Sequence, residues 1–273
     1  MTAGLTRRDA EIDGRRIAVW VGGEGPPLAL LHGTPFSAWE WHRIAPVLTA
    51  RFRVHCFDML GYGASEKPDA DVSLGVQNRI WAALYRQWFE APPFVIAHDF
   101  GGTTALRGAL LDGLAYARLI LIDPVAIRPW GSPFVQHIKH HEAAFAGVPD
   151  YLQRAIVAAY LDSAMHRTLR ESELEPYIAP WLGAIGQRAF YRQIAQMDVR
   201  YTDEIEPRLG TLACPVSLLW GEEDAWIPIE TGQRLAGMLK TPLRPVPGAG
   251  HLMQEDAPEA FLAEALRFFG ETA

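Results

Sequence analysis

The sequence predicts an α/β fold: a mostly parallel β-sheet with helices on both faces and a helical cap inserted late in the chain. Three observations carry that expectation. Short, branched apolar runs alternate with stretches of helical apolar spacing. A chain of 273 residues, 49% apolar and 21% charged, suits one large core carrying an insertion. One long interval then breaks the alternation and offers only helix formers and aromatics.

In chain order, strand-like runs stand at RIAVWV (16–21), PLALLH (27–32), FRVHCFD (52–58), PFVIAH (93–98), ARLILID (117–123), PVSLLWG (215–221) and LRPVPG (243–248). Most are too short for helices and rich in branched side chains. Helical spacing runs from Trp39 to Leu48, Val76 to Phe89, Thr103 to Leu111, Thr231 to Leu239 and Pro258 to Phe269. That alternation implies parallel strands joined by crossover helices. Only a few residues around GGEGPP separate the first two runs, so they are expected to pair as an antiparallel hairpin. Between Pro124 and Leu212 no strand signal occurs, while Trp130, Phe134, Phe145, Tyr151, Tyr160, Tyr177, Trp181, Phe190 and Tyr191 crowd the segment. Ligands of open α/β sheets sit beyond the carboxyl ends of the strands, so an insertion there roofs the site. Residues 1–123 and 213–273 are therefore expected to form the core, and 124–212 the cap.

Charge and composition exclude several classes of function. The net charge of −7 is spread along the chain, with no basic footprint for nucleic acid or an anionic membrane surface. The stretch MTAGLTRRDAEIDG lacks the apolar run of a secretion signal, and the other apolar runs fall short of a bilayer span, so a cytoplasmic protein is expected. Cys56 and Cys214, the two cysteines, sit in or beside strand-like runs without metal-ligand spacing, so neither a metal nor another cofactor is expected.

The chemistry concentrates at strand ends. VIAHDFGGTTAL passes from strand to helix through Asp99, with small residues at Ala97, Gly101 and Gly102, the spacing of a nucleophile elbow. A turn this sharp strains the central residue and leaves little room for a Cβ around it. Alone, such an Asp reads equally well as a helix N-cap. Two further placements favour the nucleophile: Asp224 follows PVSLLWG, and His251 follows the last strand in a glycine-rich loop, giving the order nucleophile, acid, histidine. Glu222, Glu223 and Glu255 are rivals for the acid, but Asp224 has the better offset from the strand end. After the second run, HGTP (32–35) can turn a backbone amide toward the nucleophile, with Pro35 fixing the turn. The backbone amides of Thr34 and Phe100 are the expected oxyanion donors.

With HGTP, DMLGYGASEK (58–67), HDFGG, GEEDAWIP and GAGHLMQEDAPE, the chain resembles α/β-hydrolases of the epoxide hydrolase and haloalkane dehalogenase group. The resemblance implies the α/β-hydrolase fold and an Asp nucleophile. A carboxylate attacks a saturated carbon bearing a leaving group and becomes an alkyl ester, which histidine-activated water then clears. In epoxide hydrolases, cap tyrosines protonate the ring oxygen. The family position before an arginine falls on Tyr191, ahead of Arg192, and the earlier one on Tyr151, with Tyr160 and Tyr177 as rivals. Haloalkane dehalogenases place Trp after the nucleophile and often Asn after the HG pair, where this chain has Phe100 and Thr34. Fluoroacetate dehalogenases carry Arg after the nucleophile and another in the next turn, where this chain has Phe100 and Thr103.

The expectation is thus an epoxide hydrolase acting through Asp99, His251 and Asp224 on a small apolar epoxide and water, as a monomer or homodimer. Trp130, Trp181 and Pro35 are its expected substrate-binding residues. The alternatives are a haloalkane or haloacid dehalogenase of the same mechanism and a non-catalytic ligand receptor on the same fold. An intact triad argues against the receptor.

Overall fold

The computed structural model describes residues 4–270; the first residues of the amino-terminal stretch and the last of the expected core lie outside the described residues. The chain opens with β1 (Thr6–Ile12), β2 (Arg15–Gly22), β3 (Pro27–Leu31), the short helix α1 (Ala45–Leu48) and β4 (Arg53–Phe57). α2 (Leu74–Trp88), β5 (Phe94–His98), α3 (Phe100–Leu111) and β6 (Arg118–Ile122) follow. A helical stretch comes next, with α4 (Pro133–Ala146), α5 (Asp150–Asp162), α6 (Glu171–Ile178), α7 (Gly183–Ala195) and α8 (Arg200–Asp203). β7 (Val216–Gly221), α9 (Ile229–Leu239), β8 (Leu243–Val246), α10 (Met253–Asp256) and α11 (Pro258–Gly270) complete it.

The eight strands form one sheet in the order β1-β2-β4-β3-β5-β6-β7-β8. From β4 through β3 to β8 every pairing is parallel, and β2 lies antiparallel to both β1 and β4. Alternation along the central strands feeds two cores. Ala29, Leu31, Val95, Ala97, Leu119 and Leu121 pack with α2, α3 and α9 on one face. Leu28, Leu30, Ile96, Ile120 and Ile122 pack with α1 and α11 on the other. Strands buried on both faces must read as continuous apolar runs, which is why they stand out in the sequence.

The expected hairpin between RIAVWV and PLALLH does not form. β2 pairs instead with β1 through the turn at Asp13 and Gly14, both at positive φ, and β4 separates β2 from β3. A two-residue turn with positive φ at both positions matches the strand twist and closes a hairpin directly. The buried LALL run of β3 needs parallel neighbours on both sides instead. β1 was not expected as a strand, because TRRDAEI is a charged, mostly exposed edge.

Between β6 and β7 the described residues contain helices and no strand. This insertion is tied to the loop and short helix α10 that follow β8. The Asp256 carboxylate accepts the backbone N–H groups of His166 (2.8 Å), Arg167 (3.0 Å) and Gly250 (2.8 Å). Buried Glu255 accepts Tyr177 Oη at 2.7 Å and pairs with Arg167 at 2.9 Å. The insertion therefore sits against the carboxyl ends of the strands.

Candidate active site

Asp99 stands between β5 and α3 with φ 48° and ψ −116°, outside the regions open to an L-residue without strain. Its neighbours leave no choice of residue. A Cβ on Gly101 would lie 2.2 Å from the Leu31 carbonyl oxygen, and one on Gly102 2.5 Å from Pro124 Cβ. The glycines let α3 start hard against β3 and β6, which pushes the Asp99 side chain up beyond the sheet edge.

Three loops converge around that side chain, two on it directly and the third through His251. From the first, the Thr34 N–H donates to Asp99 Oδ1 at 2.7 Å, next to the cis Thr34–Pro35 bond. Gly33 permits the approach, since a Cβ there would sit 2.6 Å from Asp99 Cβ. From the loop after β8, His251 Nε2 stands 3.4 Å from Asp99 Oδ2 and has no hydrogen-bond partner. From the loop after β7, Asp224 Oδ2 accepts His251 Nδ1 at 2.8 Å, while its Oδ1 accepts the N–H groups of Trp226 and Ile227 at 2.7 and 2.9 Å. Phe100 opens α3, and the first N–H groups of a helix lack an intrahelical acceptor. All three titratable groups are buried. Burial would strip the proton from His251, but the Asp224 and Asp99 carboxylates outweigh it and hold the imidazolium well above its ordinary range.

A third acid lies beneath, at a strand end that the expected site did not include. Asp123, at the end of β6 with φ 41°, accepts the Gly221 N–H at 2.9 Å through Oδ1, while its Oδ2 has no partner. Burial first and the Asp224 charge second raise it well above the usual carboxylate range. Its signal was available, since Asp123 closes ARLILID as Asp224 follows PVSLLWG.

Over Asp99 lies a cavity of about 400 Å³, its mouth included, between the core residues Thr34, Phe100 and Val125 and the insertion residues Trp130, Val135 and Tyr160. Trp226 closes one side, stacked on Tyr160 at 4.6 Å and tilted over His251 at 4.9 Å. No Lys or Arg lines it. Its indole N–H groups are engaged elsewhere: Trp130 donates to Thr202 Oγ1 at 3.0 Å and Trp226 to Ser163 Oγ at 2.9 Å. The Thr34 hydroxyl donates to Gln193 at 2.8 Å, and Ser132 Oγ caps α4. Among the described residues, only the Tyr160 hydroxyl lines the cavity without a hydrogen-bond partner. Burial and then the Asp99 charge raise its pKa, so it keeps its proton.

Several expected residues lie elsewhere. Tyr151 is 74% exposed, because it begins α5 on the outward face. Tyr191 is buried but not in the cavity wall; its hydroxyl donates to Gln153 Oε1 at 2.6 Å, inside the insertion's own core. Tyr177 is committed to Glu255. Trp181 does not line the cavity either, since its Nε1 donates to the Pro35 carbonyl at 2.8 Å, and that contact turns Pro35 into an anchor for the insertion rather than a wall. Trp130 does line the cavity, edge-on to Phe100. Among the described residues, no group of His, Cys, Asp and Glu could hold a metal ion, and no helix is long and apolar enough to cross a membrane.

An eight-stranded, mostly parallel sheet with an acid at a strained strand-to-helix turn defines the α/β-hydrolase fold. The chain belongs to the alpha/beta hydrolase family, which it matches over residues 28–265. It is 26% identical to the soluble epoxide hydrolase of Corynebacterium sp. (strain C12), over 98% of this chain and 99% of that protein. It is 37% identical to a fluoroacetate dehalogenase of Burkholderia sp., over 45% of this chain and 42% of that one. An α/β-hydrolase fold protein from Burkholderia ambifaria superposes with a TM-score of 0.95 at 52% identity, covering 98% of this chain and all of that one. These similarities place the chain among α/β-hydrolases of the epoxide hydrolase and dehalogenase type. Members of the family are hydrolases.

Proposed function

We propose that the protein opens a small, neutral epoxide to a vicinal diol through an alkyl ester on Asp99, with the insertion acting as a cap over the site. The observation that carries this reading is the Tyr160 hydroxyl, protonated and unpartnered in the wall of the cavity above Asp99. Asp99 Oδ2 attacks a ring carbon while the Tyr160 hydroxyl gives its proton to the departing ring oxygen. Oδ1, held by the Thr34 N–H, becomes the ester carbonyl.

Alkylation removes one of the two carboxylate charges holding the proton on His251. The imidazolium then restores the Tyr160 hydroxyl and is left neutral, when a base is needed. It takes a proton from water as the hydroxide adds to Asp99 Cγ, and the Thr34 and Phe100 amides hold the oxyanion on Oδ1. Collapse breaks the Cγ–Oδ2 bond, and His251 protonates the leaving alkoxide. The new carboxylic acid returns its proton to His251. Asp224 fixes the imidazole with Nδ1–H toward itself and Nε2 toward Asp99. The apolar wall without cations suits an uncharged substrate and offers nothing to hold a carboxylate.

Dehalogenation through the same ester is the second reading, favoured by the similarity to a fluoroacetate dehalogenase. Against it, no indole N–H of the cavity wall is free for a halide. A His251→Gln variant incubated separately with a simple terminal epoxide and with a chloroalkane tests both. The expected outcome is an intact-mass adduct of one epoxide on Asp99. An adduct from the chloroalkane alone transfers the proposal to dehalogenation, and no adduct from either overturns the ester mechanism.

A further inference from the structure

Beneath the triad lies a second buried polar cluster that takes no part in the steps above. Glu40, His98 and Gln254 are all fully buried and come from three different segments. Glu40 Oε2 accepts the Gly33 N–H at 3.2 Å and faces His98 Nδ1 at 3.3 Å, while Oε1 accepts the Gln254 amide at 3.2 Å. His98 Nε2 lies 2.9 Å from the His251 carbonyl oxygen. Three of these contacts land on or beside residues of the proposed chemistry. Gly33 precedes Thr34, His98 precedes Asp99, and the carbonyl is that of His251 itself.

The proton count follows from the partners. A carbonyl oxygen only accepts, so His98 Nε2 carries a hydrogen. Nδ1 and Glu40 Oε2 then face each other with one proton between them, on either atom, because two bare lone pairs at that distance repel. We propose that Glu40 and His98 are positioning residues: a pair sharing one buried proton that holds the Thr34, Asp99 and His251 loops at fixed separations. Burial raises the Glu40 pKa, which keeps that proton in place. Asp99 is also fixed by the close packing of Gly101 and Gly102, whereas the oxyanion amide and the base depend on the pair, so the pair governs ester hydrolysis more than ester formation. This part rests on the proposed Asp99 ester; the proton itself does not.

Two measurements keep the two ideas separable. In proton NMR of the unliganded protein, the shared proton gives a resonance far downfield of the amides, distinct from the His251–Asp224 proton, which Asp224→Asn removes. Glu40→Leu is expected to abolish it, and Glu40→Gln, whose NH2 can donate to a neutral His98 while giving up only the long Gly33 N–H contact, to shift it. In single-turnover kinetics with an epoxide, Glu40→Leu is expected to slow hydrolysis of the Asp99 ester at least tenfold while ester formation changes less than about threefold, and Glu40→Gln to restore hydrolysis to within about threefold of the unmutated rate. If Glu40→Leu does not fold, the Glu40→Gln rate and resonance decide. An unchanged downfield spectrum in a folded Glu40 variant, or hydrolysis as slow in Glu40→Gln as tenfold below the unmutated rate, overturns the pair. Absence of any ester in the unmutated protein and in His251→Gln overturns the proposed function instead, and leaves the spectral test standing.

Discussion

At Tyr160 a single hydroxyl separates the two leading chemistries. Replacing it with Phe removes the proposed proton donor to the ring oxygen and leaves the stacking on Trp226 intact. Epoxide turnover is expected to fall about 100-fold, the lower end for loss of a general acid. Tyr191→Phe, which loses only a bond to Gln153, is expected to leave turnover within about threefold. Rates of diol formation check both. Asp123 offers a second residue-level test. Its raised pKa means that the unfolded chain releases this proton at lower pH than the folded one, so the group costs stability as pH rises above the ordinary carboxylate range. Asp123→Asn keeps an acceptor for Gly221 and removes the acid. Melting temperature at pH 8 is expected to rise by about 2–4 °C, equivalent to about 1 kcal/mol. At pH 4 the gain should vanish, and thermal melts at the two pH values show whether it does.

The strand-to-helix elbow is the element on which the site depends. Gly101→Ala places a methyl 2.2 Å from the fixed Leu31 carbonyl, and backbone on both sides leaves nothing flexible to yield. We expect a loss of about 3 kcal/mol, the upper end for overpacking, together with loss of ester formation as α3 shifts and Asp99 turns away. Urea unfolding and adduct mass spectrometry read the two effects. The insertion is a different kind of element, attached through side chains rather than by shared strands. Trp181 on the Pro35 carbonyl and Gln193 on the Thr34 hydroxyl land on the loop whose amide holds Asp99, and the Glu255 and Asp256 contacts land on α10, just after His251. Its docking and the geometry of the site are therefore one problem.

Across the whole molecule, buried titratable groups set opposing pH trends. Below 6.5, His32 and His55, each held down to about 4 by burial, favour the folded state as pH rises, while Asp58, raised to about 6 by burial, opposes them. Above 6.5 the balance is simpler. His251 keeps its proton in the folded state after the unfolded chain has lost it, so its contribution is fully present below 6.5 and is lost as pH rises through the folded value. Stability is expected to decline from pH 6.5 toward 9, and His251→Gln to flatten that decline. Chemical denaturation across this range measures it.

Much of this was legible in the chain itself. The central strands announce themselves because burial on both faces demands unbroken apolar runs, and Asp99, Asp224 and His251 are readable because the proposed chemistry needs its residues directly after strands, with glycines where a Cβ cannot fit. β1 escaped because a charged edge strand carries no such run. Which aromatic faces Asp99 lay beyond the sequence: Tyr151, Tyr160, Tyr177 and Tyr191 all fit helical spacing, and only the packing of α5, α6 and α7 turns Tyr160 into the cavity, Tyr151 outward, Tyr177 onto Glu255 and Tyr191 onto Gln153. The contact between Glu40 and His98 was equally invisible, because its partners lie far apart in the chain and only the folded sheet edge brings them together. Local rules determine the strands and the strand-end residues; long-range packing alone decides which polar groups are left unpaired to act.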